Sequence, residues 1–200
     1  MEPENNEPLP EEIAPAEPAK KSAPSGADLY GWLQSLMFVL LGLILVFTFV
    51  GRIVGVDGKS MLPTLHHRDM LLLQCVGYTP RQNDVVVLNK HFAGVEGPIV
   101  KRVIATGGQT VDVDYQKGEV LVDGVALDEP YINEVMVEVP NSQNVITHAE
   151  IPEGSIFVMG DNRNHSSDSR HPELGIVDQR YVLGRAFFIL FPFSHLGTIG

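Results

Sequence analysis

The chain has 200 residues, 44% of them hydrophobic, with 19 glycines, one cysteine and a formal net charge of -11. That length holds one domain of ordinary size with a tail and a membrane segment set apart, and the acidic balance excludes nucleic acid as a partner, because phosphate binding needs a basic face. Cys75 stands alone, which rules out an intrachain disulfide and a cysteine-based metal site; within the apolar run 70–76 it reads as a small buried residue.

Residues 1–28 are rich in Pro, Glu, Ala and Ser. Such a segment buries too little apolar surface to order itself and reads as a disordered acidic tail outside the fold. The run 29–50 then reaches the ~20 residues a helix needs to cross a bilayer, with Tyr30 and Trp32 suited to an interfacial aromatic belt. It predicts one transmembrane helix over 29–51. A cleaved signal peptide fits less well, since the preceding region is long and acidic and no small-x-small site follows before Arg52. Orientation is not readable from charge: Lys20 and Lys21 flank one end, Arg52, Lys59 and Arg68 the other.

Beyond residue 51, short runs rich in Val, Ile and Leu alternate with turn signals. Segments 52–56, 70–76, 84–88, 99–105, 110–115, 119–122, 155–159 and 181–191 all read as strands. Lys117-Gly118 and Asp123-Gly124 mark hairpin turns, and 94–98 is a Gly/Pro-rich loop. No amphipathic helical pattern competes, so residues 52–200 are expected to form a predominantly antiparallel β domain.

Three stretches carry chemistry. In Gly58-Lys59-Ser60-Met61-Leu62-Pro63-Thr64, Pro63 pushes Leu62 out of the helical region and Gly58 permits unusual turns, so Ser60 sits in a stiff, sharply shaped segment. A serine hydroxyl is a weak nucleophile at neutral pH; catalysis there requires a base in reach and donors for an oxyanion. Lys59 points away from Ser60 in an extended segment. His66 and His67 lie nearby without a Gly-x-Ser-x-Gly elbow, and with Asp69 they have no recognisable metal-ligand spacing, so no metal or other cofactor is expected. A triad using His165 or His171 stays open, as does Lys101.

In Lys101-Arg102-Val103-Ile104-Ala105, strand alternation puts Lys101, Val103 and Ala105 on one face and Arg102 and Ile104 on the other. Burial would depress the lysine's ordinary pKa of ~10.4 toward values useful to a base; an exposed edge-strand lysine that resists aggregation is the alternative. The third stretch, Gly160-Asp161-Asn162-Arg163-Asn164-His165-Ser166-Ser167-Asp168-Ser169-Arg170, is too polar to be core. Asp161 and Asp168 paired with Arg163 and Arg170 would hold it in one shape.

The order of these elements, from membrane segment through Ser60-Met61-Leu62-Pro63-Thr64, Asn83-Asp84-Val85-Val86-Val87 and Lys101-Arg102-Val103-Ile104 to the 160–170 stretch, resembles bacterial type I signal peptidase. The resemblance implies a Ser/Lys serine protease that removes signal peptides after small-x-small motifs, with a mainly β catalytic core and a small β cap, here about 106–152. It implies Ser60 as nucleophile, Lys101 as general base and Ser166 as the serine that orients the lysine. Asp161, Arg102, Asp168 and Arg170 would be supporting residues, and Met61, Leu62 and Pro63 would line the substrate site. The tail would be cytoplasmic, the β domain extracytoplasmic, and the partners pre-proteins, the lipid bilayer and the translocation machinery.

Two positions depart from the family pattern. Gly58 stands where some members carry a serine that completes the oxyanion hole, which leaves the Ser60 N–H, the Gly58 region or water for that task. Ala105-Thr106-Gly107-Gly108-Gln109 replaces a Gly-x-Pro-Gly-Asp type turn. The competing readings are a self-cleaving repressor of the SOS type, disfavoured by the membrane segment and acidic charge, and an inactive membrane-anchored β module that binds exported proteins. Retention of Ser60, Lys101 and Ser166 together argues against the latter.

Overall fold

The computed structural model describes residues 26–49, 51–90, 97–137 and 145–199. The chain divides into two compact units, Met1–Gly42 and Leu43–Gly200. Its one long helix, α1, spans Gly26–Phe49. The acidic tail expected over 1–28 lies outside the described residues except for 26–28, which form the first turn of α1; Val50, the last residue of the apolar run, and most of the loop 94–98 lie outside them too. Side chains are described for 29–45 and all are exposed. Among the described residues no helix is long and apolar enough to cross a membrane.

The other described residues are built around antiparallel β structure, as the Val-rich runs predict. In chain order the strands are β1 Gly51–Gly55, β2 Met70–Gln74, β3 Val85–Leu88, β4 Ile99–Thr106, β5 Thr110–Asp114, β6 Glu119–Val122, β7 Val125–Ala126, β8 His148–Glu150, β9 Ser155–Met159, β10 Val177–Asp178, β11 Val182–Phe191 and β12 Gly197–Thr198. The larger sheet runs β1-β2-β11-β3-β4-β9-β10, with β12 also on β11; the smaller runs β7-β6-β5-β8. Both hairpin turns form where the sequence marks them. Asp123 (φ 51) and Gly124 (φ 77) carry the two positive φ angles of a tight β6–β7 turn, and Gly118 (φ 72) closes the longer β5–β6 loop. The strand expected to run to Val76 ends at Gln74, because the chain turns away through Gly77 at φ 67.

Three apolar clusters hold these layers. The first joins Leu71 and Leu73 of β2, Val85 and Val87 of β3 and Ala186 and Ile189 of β11 to Met61 and Leu65. The second lies between the sheets, with Ile104, Ala105, Phe157 and Met159 meeting Val111, Val113, Val120 and Val122. The third joins Val86, Val103, Ile156 and Val158 to Leu174 and Val177. Strand alternation in β4 holds through Val103 and then breaks. A register shift opposite β9 falls between Val103 and Ala105, and Ile104 and Ala105 enter the same cluster instead of opposite faces.

Candidate active site

The turn that carries Ser60 is pinned from both ends. Gly58 adopts φ 108, a conformation L side chains avoid, and its N–H donates to His67 Nδ1 at 3.3 Å. Downstream, Leu65 is fully buried and its N–H donates to the Met61 carbonyl at 2.9 Å. Burial of a leucine to that extent contributes roughly 1.5–3 kcal/mol, so the turn cannot lift without losing core. Asn162 completes the grip: its N–H donates to the Ser60 carbonyl at 3.0 Å and its Nδ2 to the Lys59 carbonyl at 3.1 Å.

Lys101 reaches this turn from β4. It sits opposite Val86 of β3 in the middle of the larger sheet, is 4% exposed, and its Nζ donates to Ser60 Oγ at 2.6 Å. Burial lowers its pKa to about 8; Asp168 and Asp161 pull it upward and Arg170 downward, but desolvation dominates. The edge-strand alternative is thereby excluded, since β4 is interior and its lysine is dry.

The 160–170 stretch folds over the pair as a rigid frame, with pairings partly different from those expected. Asp161 does not pair with Arg163. It accepts Nε and Nη2 of Arg102 at 2.8 Å each, with Thr64 Oγ1 as a third donor. Arg102 also donates to the Asn83 carbonyl at 2.9 Å and lies 3.9 Å from the Tyr131 ring centre. Arg163 instead forks onto Glu129, with Nη1 at 2.9 Å from Oε2. Asp168 and Arg170 pair as expected, at 2.8 and 2.9 Å, and Asp168 Oδ2 accepts the Gly160 N–H at 3.0 Å. Burial alone would raise the Asp168 pKa, but the Arg170 guanidinium overrides it and holds the carboxyl below its ordinary value.

Gly160 explains why the frame can come so close. A Cβ there would collide with the Ser60 carbonyl oxygen and the Ser166 side chain. Ser166 lies against Gly160 close to the Ser60 carbonyl, and its Oγ is buried without a hydrogen-bond partner among the described residues. The orienting bond to Lys101 is not formed; Nζ donates to Ser60 Oγ instead.

A cleft of about 280 Å³ opens beside the pair, between the 56–61 turn and residues 98–101. Met61 lines it while keeping its side chain in the core at 2% exposure; Leu62 and Pro63 do not line it. Ile99 and Val100 form its apolar wall and His165 and Ser167 its rim. No acceptor among the described residues takes the Ser60 N–H, whereas the Gly58 N–H is already engaged by His67. Neither His165 nor His171 comes within hydrogen-bond reach of Ser60 among the described residues, which closes the triad reading.

Sequence reasoning missed Asn162, Thr64, Tyr131 and Glu129. The first lay inside a singled-out stretch and is a donor-rich side chain next to Asp161; Glu129 and Tyr131 carry no local pattern that points to the site.

A dry lysine on a serine hydroxyl, framed by buried Asp–Arg pairs, is an arrangement chemically able to activate a serine. A family model described as signal peptidase, peptidase S26, matches residues 29–191. A probable signal peptidase I-1 of Synechocystis sp. is 37% identical over 174 residues, covering 82% of this chain and 84% of its own. Signal peptidase I of Bacillus licheniformis is 31% identical over 184 residues, covering 88% of this chain and 96% of its own. The solved signal peptidase I of Enterococcus faecalis V583 aligns at 28% identity with a TM-score of 0.42, over 54% of this chain and 97% of its own. The chain belongs to the signal peptidase family, peptidase S26.

Proposed function

We propose that this chain is a membrane-anchored serine endopeptidase that removes signal peptides from exported pre-proteins, with Ser60 as nucleophile and neutral Lys101 as general base. The observation that carries the reading is the 2.6 Å contact between Lys101 Nζ and Ser60 Oγ, made by a lysine whose pKa burial lowers to about 8. At that pKa a useful fraction of the amine is unprotonated near neutral pH, and the hydrogen bond reverses: the hydroxyl donates to the nitrogen lone pair. Lys101 takes the Ser60 proton as Oγ attacks the scissile carbonyl. The tetrahedral intermediate collapses with cleavage of the C–N bond, and the lysine ammonium returns its proton to the leaving amine. Water, deprotonated by the same lysine, then hydrolyses the acyl ester and frees Ser60.

The Ser60 N–H, free of any acceptor among the described residues, is the oxyanion donor of this scheme. Asp168, Arg170, Asp161 and Arg102 do not touch the reacting atoms; they are positioning residues that keep Gly160 and Asn162 against the Ser60 backbone. Substrate lies extended in the cleft beside Ile99 and Val100 and adds main-chain hydrogen bonds. The cleft beside Ser60 holds about 280 Å³, and cleavage after small-x-small motifs is part of the proposal. The apolar run 29–50 supports single-pass anchoring; the resemblance puts the N-terminus in the cytoplasm and the β domain outside it, and a role beside the translocation machinery goes with that substrate.

The test is cleavage of a pre-protein in detergent micelles by the purified chain, Ser60→Ala and Lys101→Met, from pH 6 to 11. Both variants should lose at least 10³-fold in kcat/KM, and the wild-type profile should rise with an apparent pKa near 8. Full activity in Lys101→Met would overturn the dyad.

A further inference from the structure

Six residues past the nucleophile the chain makes a second cluster of chemically able side chains, with no part in the scheme above. Asp69 is 1% exposed. Its Oδ2 accepts the His66 backbone N–H at 2.7 Å, and its Oδ1 lies 3.2 Å from His195 Nδ1. Among the described residues neither a lysine nor an arginine pairs with it; its ion-pair partner is that histidine. A carboxylate withdrawn from water calls for a cation or hydrogen-bond donors close by, and the donors met here among the described residues are the His66 N–H and the His195 ring.

Those imidazoles face each other. The His66 and His195 rings are 4.4 Å apart, centre to centre, at 37°. One ligand atom from each of His66, Asp69 and His195 falls within 4.8 Å of the other two. Tetrahedral zinc, with bonds of ~2.0–2.2 Å, spaces its ligand atoms about 3.4 Å apart, so the cluster needs only a modest contraction. The rings have the freedom for it: His66 is exposed, and the His195 side chain keeps 37% of its surface in solvent. The carboxylate is already fixed. Two nitrogen ligands and one oxygen suit a zinc-class divalent cation, with water in the fourth, solvent-facing position.

We propose that His66, Asp69 and His195 form a zinc-class divalent-cation site that ties the nucleophile loop to the C-terminal turn. His66 and Asp69 end the 61–69 loop; His195 ends the short 3₁₀ turn Phe193–His195 that follows β11. Both arms are rooted in one strand pair, since Met70 of β2 is the register partner of Phe191 of β11. The ion thus closes a site that the sheet has already assembled. Binding confined to the folded state stabilises it by mass action.

The experiment uses the full chain in detergent micelles, stripped with a chelator and titrated with zinc by calorimetry, followed by thermal scans with and without zinc. One zinc per chain and a Tm increase of several degrees are expected. His66→Ala and His195→Ala should each bind at least tenfold more weakly and lose the Tm increase. His148→Ala removes an exposed histidine of β8 that pairs with Asp112 of β5, and Ser60→Ala removes the nucleophile; both should bind as the wild type does, which separates this site from the hydrolytic reading. Wild-type affinity in His195→Ala, or no zinc-dependent change in Tm, would overturn the proposal.

Discussion

At the scale of single residues, the proposed chemistry asks the fold to hold a lysine where the fold least wants one. Burial penalises the ammonium form, so the native state carries the full penalty below pH 8 and none above 10.5, where the amine is neutral folded or unfolded. The shift from 10.5 to about 8 corresponds to about 3 kcal/mol at neutral pH. Lys101→Met should therefore be more stable than the wild type at pH 7, by roughly 6–12 °C in Tm. That advantage should fade as pH rises from 8 to 10.5. Thermal scans of both proteins across this range check the sign: a constant difference would mean that packing, not charge, separates them. Gly160 makes the opposite case, a residue required for what it lacks. Gly160→Ala drives a methyl group into the Ser60 carbonyl and the Ser166 side chain; one must move, and a displacement of about 1 Å at a nucleophile costs on the order of 10²-fold. Its kcat should fall by at least that factor while the far-ultraviolet circular dichroism stays that of the wild type.

At the scale of elements, the 160–170 frame is steadied by the segment between β7 and β8. Glu129 forks onto Arg163, the Asn133 N–H donates to the Asp161 carbonyl, and Tyr131 covers Arg102. The Glu129 and Arg163 side chains are 7% and 1% exposed, so removal of one strands a buried charge, worth about 3–5 kcal/mol. Glu129→Ala should lose about that much stability and at least tenfold in kcat, with KM less affected; adding Arg163→Met should recover much of the stability. Chemical denaturation of the two single variants and the double variant measures the coupling, and additive losses would show that the pair is not a unit. None of this was legible in the sequence, for a physical reason. Local pairing can be read from spacing, as with Asp168 and Arg170, two residues apart. The partners of Asp161 and Arg163 lie 59 and 34 residues away, and nothing in a loop's composition says which distant charge the sheet will bring to it. The same limit separates the long strands, whose Val-rich runs announce themselves, from β7, β10 and β12, at two residues each too short to show a period. Ser60 and Lys101 stood out as candidates through Gly, Pro and a Val-rich strand, but local pattern left the alternatives open and only the resemblance gave them roles. Their contact was not legible, since it depends on β3 and β4 being brought beneath the turn.

At the scale of the whole molecule, the open question is what surrounds α1. Its described side chains are apolar on every face, from Leu29 and Trp32 to Ile44 and Leu45, and all are exposed. A helix that is hydrophobic all round has no polar face to give to water and must be covered by protein or lipid. The β unit does not need it, since its three clusters close on their own strands and loops. Under the proposed anchoring that cover is lipid, and the charge cost of lipid supplies the test. An arginine near the centre of a membrane helix costs about 2.5–3.5 kcal/mol on insertion scales, so Leu40→Arg with Leu43→Arg costs about 5–7 kcal/mol and should abolish anchoring while leaving the β unit untouched. In cells that produce each form, alkaline carbonate extraction should leave the wild type in the membrane pellet and release the double variant to the supernatant. The released variant should still cleave a pre-protein in detergent, where substrate and enzyme meet without a bilayer. Release of the wild type under the same treatment would instead mean that α1 is covered by protein, and that the peptidase reaches its substrates by some other attachment.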